Sequence, residues 1–242
     1  MTKLSVNINK IALLRNSRGR NYPDVSAFAE RCLSLGADGI TLHPRPDQRH
    51  ARYDDVVALH AVTAAFGREL NVEGFPTSDF MEVVQRVRPA QCTLVPDSPD
   101  QLTSDHGWDL IRDADLLRPV IAALKDNGVR VSLFVDVGNQ QLALAKQLGA
   151  DRIELYTEPY AQAFGTPGLK NVLDQFHEAA LRANAAGLGV NAGHDLNLDN
   201  LPDFLTIPGI LEVSIGHALI VECLESGIET VLGRYCASAA GR

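Results

Sequence analysis

The sequence has little of what marks secreted, membrane or nucleic-acid-binding chains. Its 242 residues hold four cysteines, Cys32, Cys92, Cys223 and Cys236, widely spaced and without a CxxC pair. Neither a disulfide framework nor a zinc cluster is therefore supported, and reduced, packed thiols in a cytoplasmic protein are expected. No apolar run reaches the roughly 20 residues that span a bilayer. The opening Met1-Thr2-Lys3-Leu4-Ser5-Val6 passes straight into a strand-like pattern, without the apolar core of a signal peptide. A basic surplus is missing too. Lys and Arg number 22 against 30 Asp and Glu, a net charge of −8, the wrong sign for nucleic acid or an anionic membrane as the main partner. A glycine-rich dinucleotide loop after the first strand pattern and a serine nucleophile elbow are both lacking, which argues against an open dinucleotide-binding sheet and against serine hydrolysis.

What is present is alternation. Short β-branched runs at 4–8, 39–43, 70–74, 91–95, 130–136, 152–156, 188–192 and 211–215 are separated by helix-period stretches near 24–35, 53–67, 78–87, 115–127, 138–148, 168–186, 198–205 and 218–234. Crossover helices between successive strands imply a parallel sheet, and eight such units close into a barrel. The expected fold is an α/β chain forming one (β/α)₈ TIM-barrel domain over residues 1–242. The Leu-Gly-Ala-Asp of 35–38 recurs at 148–151, 113 residues later and four strand–helix units on. An internal duplication and a shared helix-to-strand turn both account for the echo. The Pro- and Asp-rich stretch 96–109 is the long loop of the barrel and a candidate lid.

Barrel enzymes place their chemistry at the C-terminal ends of the strands, and polar groups collect there. The first strand gives Asn7 and Asn9, with Lys10 following. The second ends in His43, with Arg45 and His50 beyond. Then come Glu73, Asp136, Glu154, Asn191 with His194, and Gly216 with His217. A single strand-end His is more often structural; three of them favour acid/base work near neutral pH. Glu73 suits a general base if partial burial raises its pKa, and Asp136 equally suits a helix N-cap. Ser214-Ile215-Gly216-His217-Ala218 turns strand eight directly into a helix start, a place for phosphate. Lys10, Arg15, Arg18 and Arg20, with Arg45, Arg49 and His50, suggest a second anion site, so two phosphorylated substrates or one bisphosphate are expected. Metal ligation is disfavoured, because His43 and His50 form no HxH pair and only Glu73 adds a carboxylate nearby. Lys10 alone is placed to serve as a Schiff-base lysine.

Val6-Asn7-Ile8, Ile11 to Gly19, Gly36 to Arg45, Asp47 to His50, Asn71-Val72-Glu73, Leu94-Val95-Pro96, Val131 to Asp136, Ile153-Glu154, Val190 to His194 and Ile215 to Ala218 together resemble the pyridoxine 5′-phosphate synthase family over essentially the whole chain. The resemblance implies condensation of 1-deoxy-D-xylulose 5-phosphate with 3-amino-2-oxopropyl phosphate to pyridoxine 5′-phosphate, phosphate and water. It implies no metal or organic cofactor, and a homo-octamer. It implies His43 and Glu73 as general bases, His194 as proton donor and Glu154 as transition-state stabiliser. By the same resemblance Asn7, Arg18, Asp195, Gly216 and His217 hold the aminoketone phosphate, while Asn9, Lys10, Arg45, His50 and Thr103 hold the sugar phosphate. Three departures stand out: Asn9-Lys10 where the family has Asp-His, Asp195 where it has glycine, and Tyr156 where histidine is common. Two further readings remain, another sugar-phosphate isomerase or aldolase on the same barrel, and a non-catalytic phosphosugar-binding protein.

Overall fold

A computed structural model describes residues 1–97 and 104–241. Eight parallel strands close in chain order: β1 (Lys3–Asn7), β2 (Gly39–Leu42), β3 (Glu69–Gly74), β4 (Gln91–Leu94), β5 (Arg130–Val135), β6 (Arg152–Tyr156), β7 (Gly189–Gly193) and β8 (Ile210–Ile215). Closure is made by β8 on β1, with Ser5 opposite Ser214 and Val6 opposite Ile215. Around them run α1 (Asn9–Asn16), α2 (Val25–Ser34), α3 (Tyr53–Ala65), α4 (Ser78–Val87), α5 (Ala114–Asp126), α6 (Ala143–Leu148), α7 (Glu158–Ala163), α8 (Leu169–Ala185), α9 (Leu201–Phe204), α10 (His217–Ser226) and α11 (Ile228–Ala239). All eight expected strands are present within two residues of their expected ends. The helices depart further. The expected 138–148 helix holds only in α6, because 136–139 forms a turn closed by Asn139 N–H on the Asp136 carbonyl at 3.1 Å. The expected 218–234 helix is broken at Gly227, whose φ of +77° no helix accommodates. Short α1 and α7 carry too few turns to declare a period.

Successive strand residues face opposite ways, and the two faces differ sharply. Leu4 and Val6, Ile40 and Leu42, Leu70 and Val72, Ile153 and Leu155 are all buried in the apolar layer shared with the helices. The residues between them line the lumen and are polar. Ser5 and Thr41 share a 2.6 Å hydrogen bond, Thr93 donates to Asn71 at 3.1 Å, and Arg152 donates to Asn191 at 3.0 Å. Barrel interiors are usually filled by branched aliphatics; this one is filled by hydrogen-bonded groups, which explains why the strands alternate instead of reading as continuous apolar runs. Asn191, expected near the mouth, sits in this lumen between Arg152 and Gln91.

The Leu-Gly-Ala-Asp echo has one geometry at both places. Gly36 and Gly149 take φ of +109° and +106°. Asp38 then clasps Leu4 through both backbone and carboxylate, and Asp151 clasps Val131 in the same way, at 2.9 to 3.1 Å. Local turn physics accounts for the repeat.

Candidate active site

The C-terminal mouth gathers the expected groups from separate strands. At the end of β1, Asn7 turns its amide toward Glu73, Nδ2 donating to Oε2 at 3.4 Å, while its Oδ1 accepts from the Asn9 N–H at 3.0 Å. Asn9 Oδ1 accepts in turn from the His43 backbone N–H at 2.9 Å. That bond locks the β1 end to the β2 end and needs only an acceptor oxygen, which the Asn9 amide supplies. Lys10 is exposed beside it.

The histidines and carboxyls are shifted by their surroundings. His43 is 5% exposed, and burial, with Arg45, His50, Arg49 and His194 around it, holds its imidazole well below the usual range. A neutral ring at physiological pH is what a general base requires. Burial and then Arg45 push His50 down to about 4, and its Nδ1 accepts from the Ala51 N–H at 3.0 Å. Its ring meets His43 edge-on with centroids 6.3 Å apart. Glu73 is raised well above the carboxylate range by burial first and by Glu154 second. Glu154, deeper in the lumen, is pushed up to about 8 by burial and then by Glu212, against a 3.4 Å hydrogen bond from Thr93. It lies against Gly193: a Cβ there would stand 2.5 Å from Glu154 Oε1 and push the carboxyl aside.

The Glu154 shift has a consequence for stability. Its folded-state pKa lies above the unfolded 4.5, so the stability gained by keeping it neutral is complete below pH 4.5 and is lost as pH rises through about 8. Glu154→Gln, which is never ionised, should melt like wild type at the acid end and increasingly above it toward pH 8. Melting curves across that window check this; a pH-independent difference would contradict it.

On the far side, β7 runs into His194 and Asp195, both with positive φ, +97° and +56°. Asp195 occupies the left-handed region where aspartate is tolerated and glycine is common, so the departure from the family's glycine costs little backbone strain. Its carboxylate lies 3.4 Å from His194 Nδ1, and that contact, ahead of the nearby His217 and Lys10, holds it below the usual range. The His194 ring packs edge-on against Tyr156 at 5.1 Å and tilts over Phe134 at 6.4 Å. Tyr156 Oη itself donates to Glu158.

Gly216 precedes α10, and a Cβ on it would stand 3.0 Å from Asn7 Cβ. The β8–α10 turn thus lies directly on the β1 end, with no side chain capping the helix at Gly216. His217 opens that helix and is exposed, as is Arg18 beyond α1. Thr103 lies outside the described residues.

Two of the sequence expectations fail. Arg15 is not part of an anion site: its guanidinium is buried against Asp55, 2.9 Å from Oδ2, and donates to the His50 carbonyl at 3.1 Å. Asp136, directly after β5, caps no helix, since α6 begins at Ala143. It accepts from the Gly107 N–H at 3.1 Å and lines a cavity of about 390 Å³ with Trp108, Asn139 and Gln141. Asp97 was not foreseen. It pairs with Arg45, buried, at the end of β4, where a loop aspartate gives no periodic signal.

The chain matches, over residues 4–240, the family described as "Pyridoxal phosphate biosynthesis protein PdxJ". It is 55% identical to the pyridoxine 5′-phosphate synthase of Xanthomonas campestris pv. campestris, over 99% of this chain and 97% of that one. It is 52% identical to the protein of the same name from Albidiferax ferrireducens, over 97% and 96%. Among solved structures it is similar to thiamine phosphate pyrophosphorylase from Pyrococcus furiosus, with a TM-score of 0.64, 12% identity and coverage of 99% and 96%. N-(5′-phosphoribosyl)anthranilate isomerase from the same organism gives a TM-score of 0.58 at 12% identity, with both chains fully covered. At such identity these two show the barrel alone. The family match from residue 4 to residue 240, the full-length relatives and the mouth geometry agree: the chain belongs to the PdxJ family of pyridoxal phosphate biosynthesis proteins.

Proposed function

We propose that the protein is a pyridoxine 5′-phosphate synthase, condensing 1-deoxy-D-xylulose 5-phosphate with 3-amino-2-oxopropyl phosphate to pyridoxine 5′-phosphate, phosphate and water. The observation that carries this reading is the set of acid/base groups that burial has tuned at one barrel mouth, His43 neutral and Glu73 and Glu154 raised, in a chain 55% identical to proteins of that name. Groups whose environments push their proton affinities apart from the ordinary values, the imidazole downward and the carboxyls upward, are those suited to dividing acid and base roles in one reaction. The substrate's own amine forms the imine, so no enzyme lysine is needed for it.

In this reading His43 and Glu73 take protons, His194 returns one from the opposite wall, and Glu154 steadies charge from below. Asn7, Arg18, the backbone at Asp195, and Gly216 with His217 hold the aminoketone phosphate. The uncapped first turn of α10 supports this, since free N–H groups and the positive dipole end favour an anion there. Asn9, Lys10, Arg45, His50 and Thr103 hold the sugar phosphate. Incubating the purified protein with both substrates should give a product with the mass of pyridoxine 5′-phosphate, and with either substrate alone should give none. Absence of that mass with both present sinks the reading.

His217→Ala should raise the KM for the aminoketone phosphate about tenfold, the scale of one charge-assisted hydrogen bond, and leave the KM for the sugar phosphate near wild type. Steady-state kinetics with each substrate varied decides; an unchanged aminoketone KM removes His217 from that site. The cytoplasm as the place of action and a homo-octamer as the working form belong to the same proposal. Exposed Leu13 and Leu14 on α1 and Leu224 on α10 supply apolar surface that assembly would cover. No described helix is long and apolar enough to cross a membrane.

A further inference from the structure

Arg45, just past β2, and Asp97, just past β4, form an ion pair whose side chains are only 5% and 3% exposed. Asp97 Oδ2 takes the guanidinium and also accepts from Ser104 Oγ at 2.8 Å. One oxygen thus joins the β2 loop to both residues that bracket positions 98–103. The other oxygen is different. Asp97 Oδ1 is buried and has no hydrogen-bond partner among the described residues, the one carboxylate oxygen in that condition. Buried acceptors are nearly always satisfied, and a charged one left bare is unfavourable, so the exception asks for a donor that arrives from outside. Asp97 also acts electrostatically on both Glu73 and Arg45, which places it on the catalytic side of the mouth.

We propose that Asp97 Oδ1 accepts a hydroxyl of the sugar-phosphate substrate, which makes Asp97 a substrate-orienting residue of the condensation. This rests on the function proposed above. The chemistry of the site selects the donor. A phosphate offers no proton at that position and is repelled by the carboxylate. An ammonium group would sit beside the Arg45 guanidinium, whose charge already balances Asp97. A neutral hydroxyl fits both neighbours. With the hydroxyl held at Asp97, the phosphate of the same molecule is turned away from the carboxylate, toward Lys10 and His50. The residue thereby fixes which way round the sugar chain lies in front of His43 and Glu73.

The test is equilibrium binding, by calorimetry, of 1-deoxy-D-xylulose 5-phosphate and of its two analogues lacking either the C3 or the C4 hydroxyl. Wild type should bind one analogue about 10- to 100-fold more weakly than the parent, the range of a hydrogen bond to a charged group. In Asp97→Asn that preference should shrink severalfold, while the KM for the aminoketone phosphate stays within about twofold. Asp97→Glu keeps a carboxylate for Arg45 but displaces the second oxygen; it should lose the same preference and serves if the Asn variant does not fold. Equal binding of parent and both analogues by wild type overturns the inference, and so does a preference that stays at its wild-type size in either variant. Wild-type turnover separates the two levels. Without it the proposed function fails; with it, and with no Asp97-dependent preference, only this inference fails.

Discussion

Glu73→Gln should lower kcat by about 10²- to 10⁴-fold, the usual loss for a general base, and leave both Michaelis constants within about threefold. The substitution keeps the shape of the side chain and its ability to accept from Asn7 Nδ2, 3.4 Å from Oε2 in the native protein. Only proton affinity is removed. The size of the effect follows from the burial of Glu73, 9% exposed. Burial leaves water little room to stand in for the base, and the raised pKa makes this carboxylate a stronger base than an ordinary one. The same shift places the acid limb of the wild-type rate profile above the ordinary carboxylate range, because Glu73 must lose its proton before it can take one. Steady-state kinetics of the variant, with a pH profile of wild type, checks both points. A variant turning over at the wild-type rate removes Glu73 from the base role.

Arg15→Met should destabilise the fold by about 3–5 kcal/mol, the cost of breaking a buried ion pair, a fall in melting temperature of about 6–20 °C. Arg15 is almost wholly enclosed, with its two terminal nitrogens on the Asp55 carboxylate and one also on the His50 carbonyl. Methionine fills the space of the stem but takes away the counter-ion of Asp55, which keeps, among the described residues, only the Arg52 N–H on its Oδ2 at 2.7 Å. Arg18→Ala makes the contrast. Arg18 is exposed, so its loss should move the melting temperature by no more than about 2 °C and raise the KM for the aminoketone phosphate. Thermal melts of the two variants distinguish them; an Arg15→Met protein melting with wild type would contradict the buried-pair account.

These two arginines show what a sequence carries and what it withholds. Both stand within a basic cluster three residues apart, and charge alone made them equal. Only the fold reveals that Asp55, 40 residues downstream, claims one of them. The strands were legible because alternation marks each one, including the buried face of Leu4 and Val6. The polar lumen behind that alternation was not, because strand-end position and lumen depth look the same in one dimension: Asn191 lies among Arg152 and Gln91, and His194, three residues on, lies at the mouth. Of the two sequence readings of Asp136 the helix cap fails, since the following turn delays α6 to Ala143, while its place at the C-terminal end of β5 is as expected. The Asn9 and Asp195 departures became intelligible only through geometry, one supplying an acceptor for the His43 N–H and the other accepting a left-handed backbone. Asp97 gave no signal at all, because its partner Arg45 is 52 residues away.

The measurement that bears most directly on the account follows phosphate release and the absorbance of the new pyridine ring together, in one reaction containing the protein and both phosphorylated substrates. The account predicts that both signals rise in step, one phosphate for each ring, and that neither rises when one substrate is left out. Phosphate released from a single substrate, or release with no ring formed, would contradict it and turn the tuned carboxyls of this barrel toward another sugar-phosphate reaction.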